Sequence, residues 1–212
     1  FKSYSRVGTS HLRFISILRD PIDRLRSLFL SEKRQGSLDL IGFNITKECL
    51  KDVLSCEAYL NITFDMWARL QVSRAEECSH LNSISNIWPD CGTDGIFGGI
   101  YSLQLEMYLR YFQGDQISLV RFEAATEDRR QCMDNVGDWL GFTGDANLTK
   151  GPVISDQPVK GDFMLENDDS WLSTEVQGLL EAFYQPYASD LFSIIKRENV
   201  EFIDVVERNE LF

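Results

Sequence analysis

The segment Leu12–Arg34 constrains the fold more than any other part of the chain. Leu12-Arg13-Phe14-Ile15-Ser16-Ile17-Leu18 is short, apolar and partly β-branched, the signature of a buried strand. It stops at Arg19-Asp20-Pro21. Proline suits the first helical turn, and aspartate before it is a good N-cap. Ile22, Leu25, Leu28 and Phe29 then recur at helical spacing, and the pattern runs to about Gln35, before Gly36. A strand, a tight turn and a basic helix follow one another directly, the opening of an α/β unit.

A second such alternation lies later in the chain. Leu105, Tyr108, Leu109 and Phe112 share a helical face that ends at Gly114. Gln116 to Phe122 reads as a strand, and Thr126 to Leu140 as a helix stopped by Gly141. A last long helix starts near Ser173 and carries Val176, Leu179, Leu180, Phe183, Tyr187, Leu191 and Ile194, with Pro186 expected to kink or break it. Alternation of this kind predicts an α/β fold, a parallel sheet layered between helices. Only two strands are evident, so further strands are expected outside this chain. Residues 37–97 read as an irregular insertion. Within it Thr46–Leu60 has helical spacing, Phe64–Ala75 suits a helix, and 78–99 is a Ser-, Asn-, Gly- and Asp-rich loop. Residues 198–212 read as an acidic tail, and the whole, 1–212, as one partial domain.

The 212 residues carry a net charge of −12. Residues 1–34 hold eight basic and three acidic groups, +5, which leaves −17 for the remainder. An acidic chain repels polyanions, so nucleic acid is excluded as a partner. A basic segment inside it suits a local anion site or a solvated helix face. The five cysteines include no CxxC pair, and no metal site is expected. Three Asn-x-Ser/Thr sequons, at Asn44, Asn61 and Asn147, accompany them. Together they point to a secretory-pathway lumen, with Cys78–Cys91 the favoured bridge because both flank a loop. No run of apolar residues is long enough to span a bilayer and no signal peptide is evident. The chain opens on Phe1 rather than Met, as expected of a processed chain or a fragment.

Arg19 falls at the C-terminal end of a strand, where open α/β sheets bind ligands, and Ser27 two turns into the next helix. A guanidinium fork and a hydroxyl so placed can hold a phosphate; the alternative is an arginine paired with a carboxylate and a surface serine. His11 and His80 have no partner arrangement for nucleophilic catalysis, and no G-x-S-x-G or P-loop motif occurs. Trp67, Trp88 and Tyr101 could stack on a base or sugar, although aromatics are usually core. Asp168-Asp169 suits a loop or helix start better than a catalytic dyad.

Leu18-Arg19-Asp20-Pro21-x-x-Arg24-x-x-Ser27 resembles the 3′-phosphate motif of sulfotransferases that use 3′-phosphoadenosine 5′-phosphosulfate (PAPS). Gly99-Ile100-Tyr101 through Tyr108 and Phe112, then Gln116 to Glu123, resembles a helix–strand block of the Golgi carbohydrate sulfotransferases. Gly137 to Phe142, and the series Leu179, Phe183, Tyr184, Pro186, Tyr187 and Leu191, resemble their closing segments. The likeness covers about residues 12–195 with a gap in the middle, and is nearest to the heparan-sulfate N-sulfotransferase type. It implies a P-loop-like sulfotransferase fold, PAPS as co-substrate and a carbohydrate acceptor. By it, Arg19 and Ser27 grip the 3′-phosphate. Lys160 and Gly161 stand where the family has a basic, glycine-containing nucleotide loop; the other reading of Lys160 is an ordinary turn lysine.

The family's phosphosulfate loop lies well upstream of the Arg-Asp-Pro motif, and only eighteen residues precede Arg19 here. Gly8-Thr9-Ser10 runs straight into the strand, so no helix N-terminus can face a phosphate there. The phosphate-loop unit and the catalytic base are therefore expected to be missing, and no catalytic residue is assigned. Gln104 stands where the N-sulfotransferase type has a histidine, which opens the acceptor preference. Two functions follow: a lumenal (Golgi or secreted) PAPS-dependent sulfotransferase, with membrane contact only through an upstream anchor, or an inactive sulfotransferase-fold module serving as a subunit of a larger assembly.

Overall fold

The computed structural model describes residues 11–38, 43, 46, 49–81, 94–142 and 172–203. It is a mixed α/β structure, mostly helical, with a small parallel sheet. The chain divides into two compact units. A sheet unit gathers the described parts of Phe1–Asp20, Tyr101–Lys160 and Tyr187–Phe212; a helical unit gathers those of Pro21–Ile100 and Gly161–Pro186.

In the sheet unit, β1 (Phe14–Leu18) pairs parallel with β2 (Ile117–Arg121), and β2 with β3 (Glu201–Ile203), in the order β1-β2-β3. The register sets Phe14 opposite Ile117 and Leu18 opposite Arg121. β2 is central, and its side chains alternate between two cores as period 2 requires. Ile117 and Leu119 join Leu18, Tyr101, Leu105, Leu191 and Ile194 on one face. Val120 joins Cys132, Val136 and Ile203 on the other. The first face is covered by α5 (Tyr101–Leu109) and the end of α8 (Thr174–Glu198), the second by α7 (Arg129–Leu140). That is the helix–sheet–helix layering expected of parallel strands. On β1, Ile15 and Ile17 remain 41% and 61% exposed.

The third strand was not legible in the sequence and lies inside the segment read as an acidic tail. The helix expected from Thr126 is two helices, α6 (Phe122–Glu127) and α7. Asp128 divides them: its side chain accepts from Gln131 N–H at 2.9 Å and caps α7, while Gly141 ends it at φ 81°. Gly114 begins the turn before β2, and a Cβ there would run into the Glu198 backbone carbonyl. Gly114→Ala is expected to cost about 1–3 kcal/mol in a denaturant titration. An unchanged midpoint would mean that the two backbones are not packed this closely.

The helical unit contains α1 (Pro21–Gln35), α2 (Glu57–Leu60), α3 (Phe64–Leu81), α4 (Asp94–Phe97) and the start of α8. Its core centres on Phe29, Phe64 and Trp67, whose ring centroids lie 5.5–6.3 Å apart. Lys33 Nζ donates to the carbonyls of Leu60 (2.8 Å) and Ile62 (2.6 Å), and burial lowers its pKa. Tyr184 donates to Ile96 O at 2.9 Å. Helix α8 is continuous through Pro186, where the sequence suggested a kink or a break, so the proline does not end it. Val176, Leu180 and Tyr184 before the proline and Leu191 and Ile194 after it are all buried, which anchors both halves.

The helix expected over Thr46–Leu60 is replaced by two 3-10 turns, Cys49–Lys51 and Val53–Ser55, and the single turn α2. Cys49 and Cys56 form a disulfide with their Cα atoms 5.2 Å apart. An α-helix would hold residues seven apart at about 10 Å, beyond the reach of a disulfide, so helix and crosslink exclude one another. Cys78 is also disulfide-bonded. Its favoured partner, Cys91, lies outside the described residues, as do the sequons' Asn44 and Asn147. Cys132 is a buried thiol. No described helix is long and apolar enough to cross a membrane. The Cys49–Cys56 disulfide is compatible with a lumenal or secreted protein.

Candidate functional site

β1 delivers Arg19 to the C-terminal edge of the parallel sheet, one residue past the last paired position, Leu18 opposite Arg121. The turn that follows is held by side chains from far along the chain. The Tyr101 hydroxyl donates to Arg19 O at 2.9 Å and receives the Arg19 N–H at 3.3 Å. The Glu123 carboxylate receives the Asp20 N–H at 3.4 Å. Tyr101 opens α5, and its ring is buried among Leu18, Leu105 and Leu119, so the hydroxyl is aimed by packing. Glu123 follows β2 by two residues, as Asp20 follows β1, and parallel pairing brings both to the same sheet edge.

With its backbone fixed this way, the Arg19 side chain lies over the ring of Phe122, with the guanidinium carbon 5.0 Å from the ring centroid. Its Nε is buried and takes no hydrogen bond among the described residues. A shielded guanidinium N–H without an acceptor favours an incoming anion with two oxygens to offer. Phe122 itself stays 39% exposed. The arrangement can hold an oxyanion in a fixed direction. It contains no nucleophile–base pair.

No family model matches this chain, and neither does any curated protein sequence.

Of the residues singled out in the sequence, Arg19 sits in the sheet unit and Ser27 in α1 of the helical unit, half-buried. Lys160 and Gly161 lie outside the described residues, as do Trp88, Asp168 and Asp169. His11 is exposed, and the side chain of His80 is outside the description. Trp67 is core, and Tyr101 is too deeply buried to stack on a ligand. The clamp made by Tyr101 and Glu123 is not legible in the sequence. One signal pointed towards it: Glu123 and Asp20 both lie just beyond a strand of one parallel sheet.

Tyr101→Phe tests the clamp. It leaves both backbone groups of half-buried Arg19 without the hydroxyl, at an expected cost of about 1–2 kcal/mol in a denaturant titration. A variant as stable as the parent would contradict it.

Proposed function

We propose that this chain is the 3′-phosphate-binding part of a PAPS-dependent carbohydrate sulfotransferase that works in the Golgi lumen or elsewhere in the secretory pathway. One observation carries the proposal. The Tyr101 hydroxyl bonds both backbone groups of Arg19, 82 residues away, so the two motif blocks of the family resemblance meet at the residue expected to grip the nucleotide. Arg19's orphaned Nε and its seat over Phe122 also fit the phosphate.

In this reading Arg19 takes two oxygens of the 3′-phosphate, and Ser27, Lys160 and Gly161 are the further nucleotide-binding residues that the family resemblance implies. These groups bind and orient the nucleotide. The transfer itself moves a sulfuryl group in line from the phosphosulfate to a hydroxyl or amine of the sugar, and it needs an activated acceptor and a stabilised leaving phosphate. In the family that this chain resembles, both are the work of a phosphate-loop unit upstream of the Arg-Asp-Pro motif.

The charge distribution favours a second reading, an inactive module in a larger assembly. The −17 outside residues 1–34 is poorly suited to a polyanionic glycan. Melting the protein with adenosine 3′,5′-bisphosphate, ATP or sulfate tests nucleotide recognition. Stabilisation by the bisphosphate alone is expected, reaching about 2.7 kcal/mol at a hundredfold excess over Kd. Equal shifts with all three would reduce the site to a generic anion patch. Label from [35S]PAPS on a glycan acceptor, in the protein with its upstream unit, separates enzyme from module.

A further inference from the structure

The sequon Asn61-Ile62-Thr63 has no part in the nucleotide reading, and its geometry is well defined. Asn61 is the C-cap of α2, with φ −79° and ψ −3°. Its N–H donates to the Glu57 carbonyl at 3.0 Å, and the next N–H, that of Ile62, donates to the Tyr59 carbonyl at 3.1 Å. On either side, the carbonyls of Leu60 and Ile62 accept from Lys33 Nζ. Ile62 is 1% exposed and anchors the turn in the core. The backbone is therefore fixed while the Asn61 side chain points outward. That side chain is exposed and makes no hydrogen bond among the described residues. Thr63 is exposed too, and its Oγ1 accepts from Met66 N–H at 3.3 Å at the start of α3. Leu60, 52% exposed, adjoins the site and offers an apolar surface that a bulky sugar would shield.

We infer that Asn61 is an N-glycan acceptor, projected into solvent from a rigid turn and able to carry a glycan without disturbing either helix. A sequon by itself is a common accident of sequence. Two observations lift this one above chance. Its acceptor amide is exposed and uncommitted in the folded chain. The Cys49–Cys56 disulfide closes five residues earlier, as expected of a chain that matures in the oxidising lumen where glycans are added. The co-substrate is a lipid-linked oligosaccharide diphosphate, supplied with its transferase by the lumenal membrane. The Asn61 carboxamide nitrogen bonds to C1 of the first N-acetylglucosamine, the C1–O bond to phosphate breaks, the lipid diphosphate leaves, and the amide proton passes to solvent. No electrons are exchanged.

The test is expression of the whole chain through the secretory pathway of a eukaryotic cell, followed by peptide-N-glycosidase digestion. Asn61→Gln is expected to remove one glycan step from the gel ladder. Thr63→Val should do the same, whereas Thr63→Ser, which keeps the hydroxyl, should retain glycan. Peptide mass spectrometry of the parent protein is independent of how any variant folds: digestion should convert Asn61 to aspartate. An unmodified Asn61 peptide would overturn the inference, whether or not Asn44 and Asn147 carry sugar. Because this site is independent of Arg19, its failure would leave the nucleotide reading standing.

Discussion

Trp67→Ala is expected to destabilise the protein by about 3–5 kcal/mol, the range for removing a large aromatic from a closed core. Trp67 is 1% exposed and packs against Phe29 and Phe64 at 5.5 and 6.3 Å between centroids. A Cβ added to Gly95 would come within 3.1 Å of the indole, so the pocket fits closely on that side as well. The indole Nε1 is buried with no hydrogen-bond partner among the described residues, so truncation sacrifices packing rather than a polar contact. The loss should appear in denaturant titrations as a lowered midpoint. Trp67→Phe should recover part of it, because another aromatic refills some of the volume. A cost below about 1 kcal/mol would mean that this cluster is not the centre of the helical unit.

Arg19→Ala is expected to act on binding and not on the fold. Its side chain touches the chain through Phe122, a contact worth about 0.5–1 kcal/mol at a partly exposed site. The backbone of Arg19 keeps its bonds to Tyr101 in the variant. Stability should therefore change by no more than about that amount, while affinity for adenosine 3′,5′-bisphosphate falls by about 1.5–3 kcal/mol, roughly 10- to 150-fold. Arg19→Lys should lie between the two, since an ammonium retains charge and loses the fork. Calorimetric titration reads the loss. Unchanged affinity would remove Arg19 from the site.

The parts of this fold that were legible in the sequence are those where local chemistry and tertiary packing agree. Phe14–Leu18, the Asp20-Pro21 helix start and Ile117–Arg121 each carry their own signal and form the expected elements, although the first strand, expected to be buried, leaves Ile15, Ser16 and Ile17 exposed. β3 carries almost none: three residues, Glu201–Ile203, become a strand only because β2 offers them an edge. Around Cys49 the apolar spacing argued for a helix, and a covalent crosslink overrode it. Arg19 could be found because its spacing to Pro21 and Ser27 is local. Tyr101 read as one more core aromatic, and its ring is one. What the sequence could not reveal is that its hydroxyl reaches a carbonyl 82 residues earlier. Glu123 was hidden in the same way, since its partner, the Asp20 N–H, is a neighbour only across the sheet edge.

The central claim is that Arg19 reads a 3′-phosphate. The most direct measurement compares, by calorimetry, adenosine 3′,5′-bisphosphate with adenosine 5′-monophosphate, which differs only by that phosphate. The account predicts that the bisphosphate binds at least about tenfold more tightly to the parent protein and that Arg19→Ala brings the two affinities together. Equal affinities in the parent would contradict it.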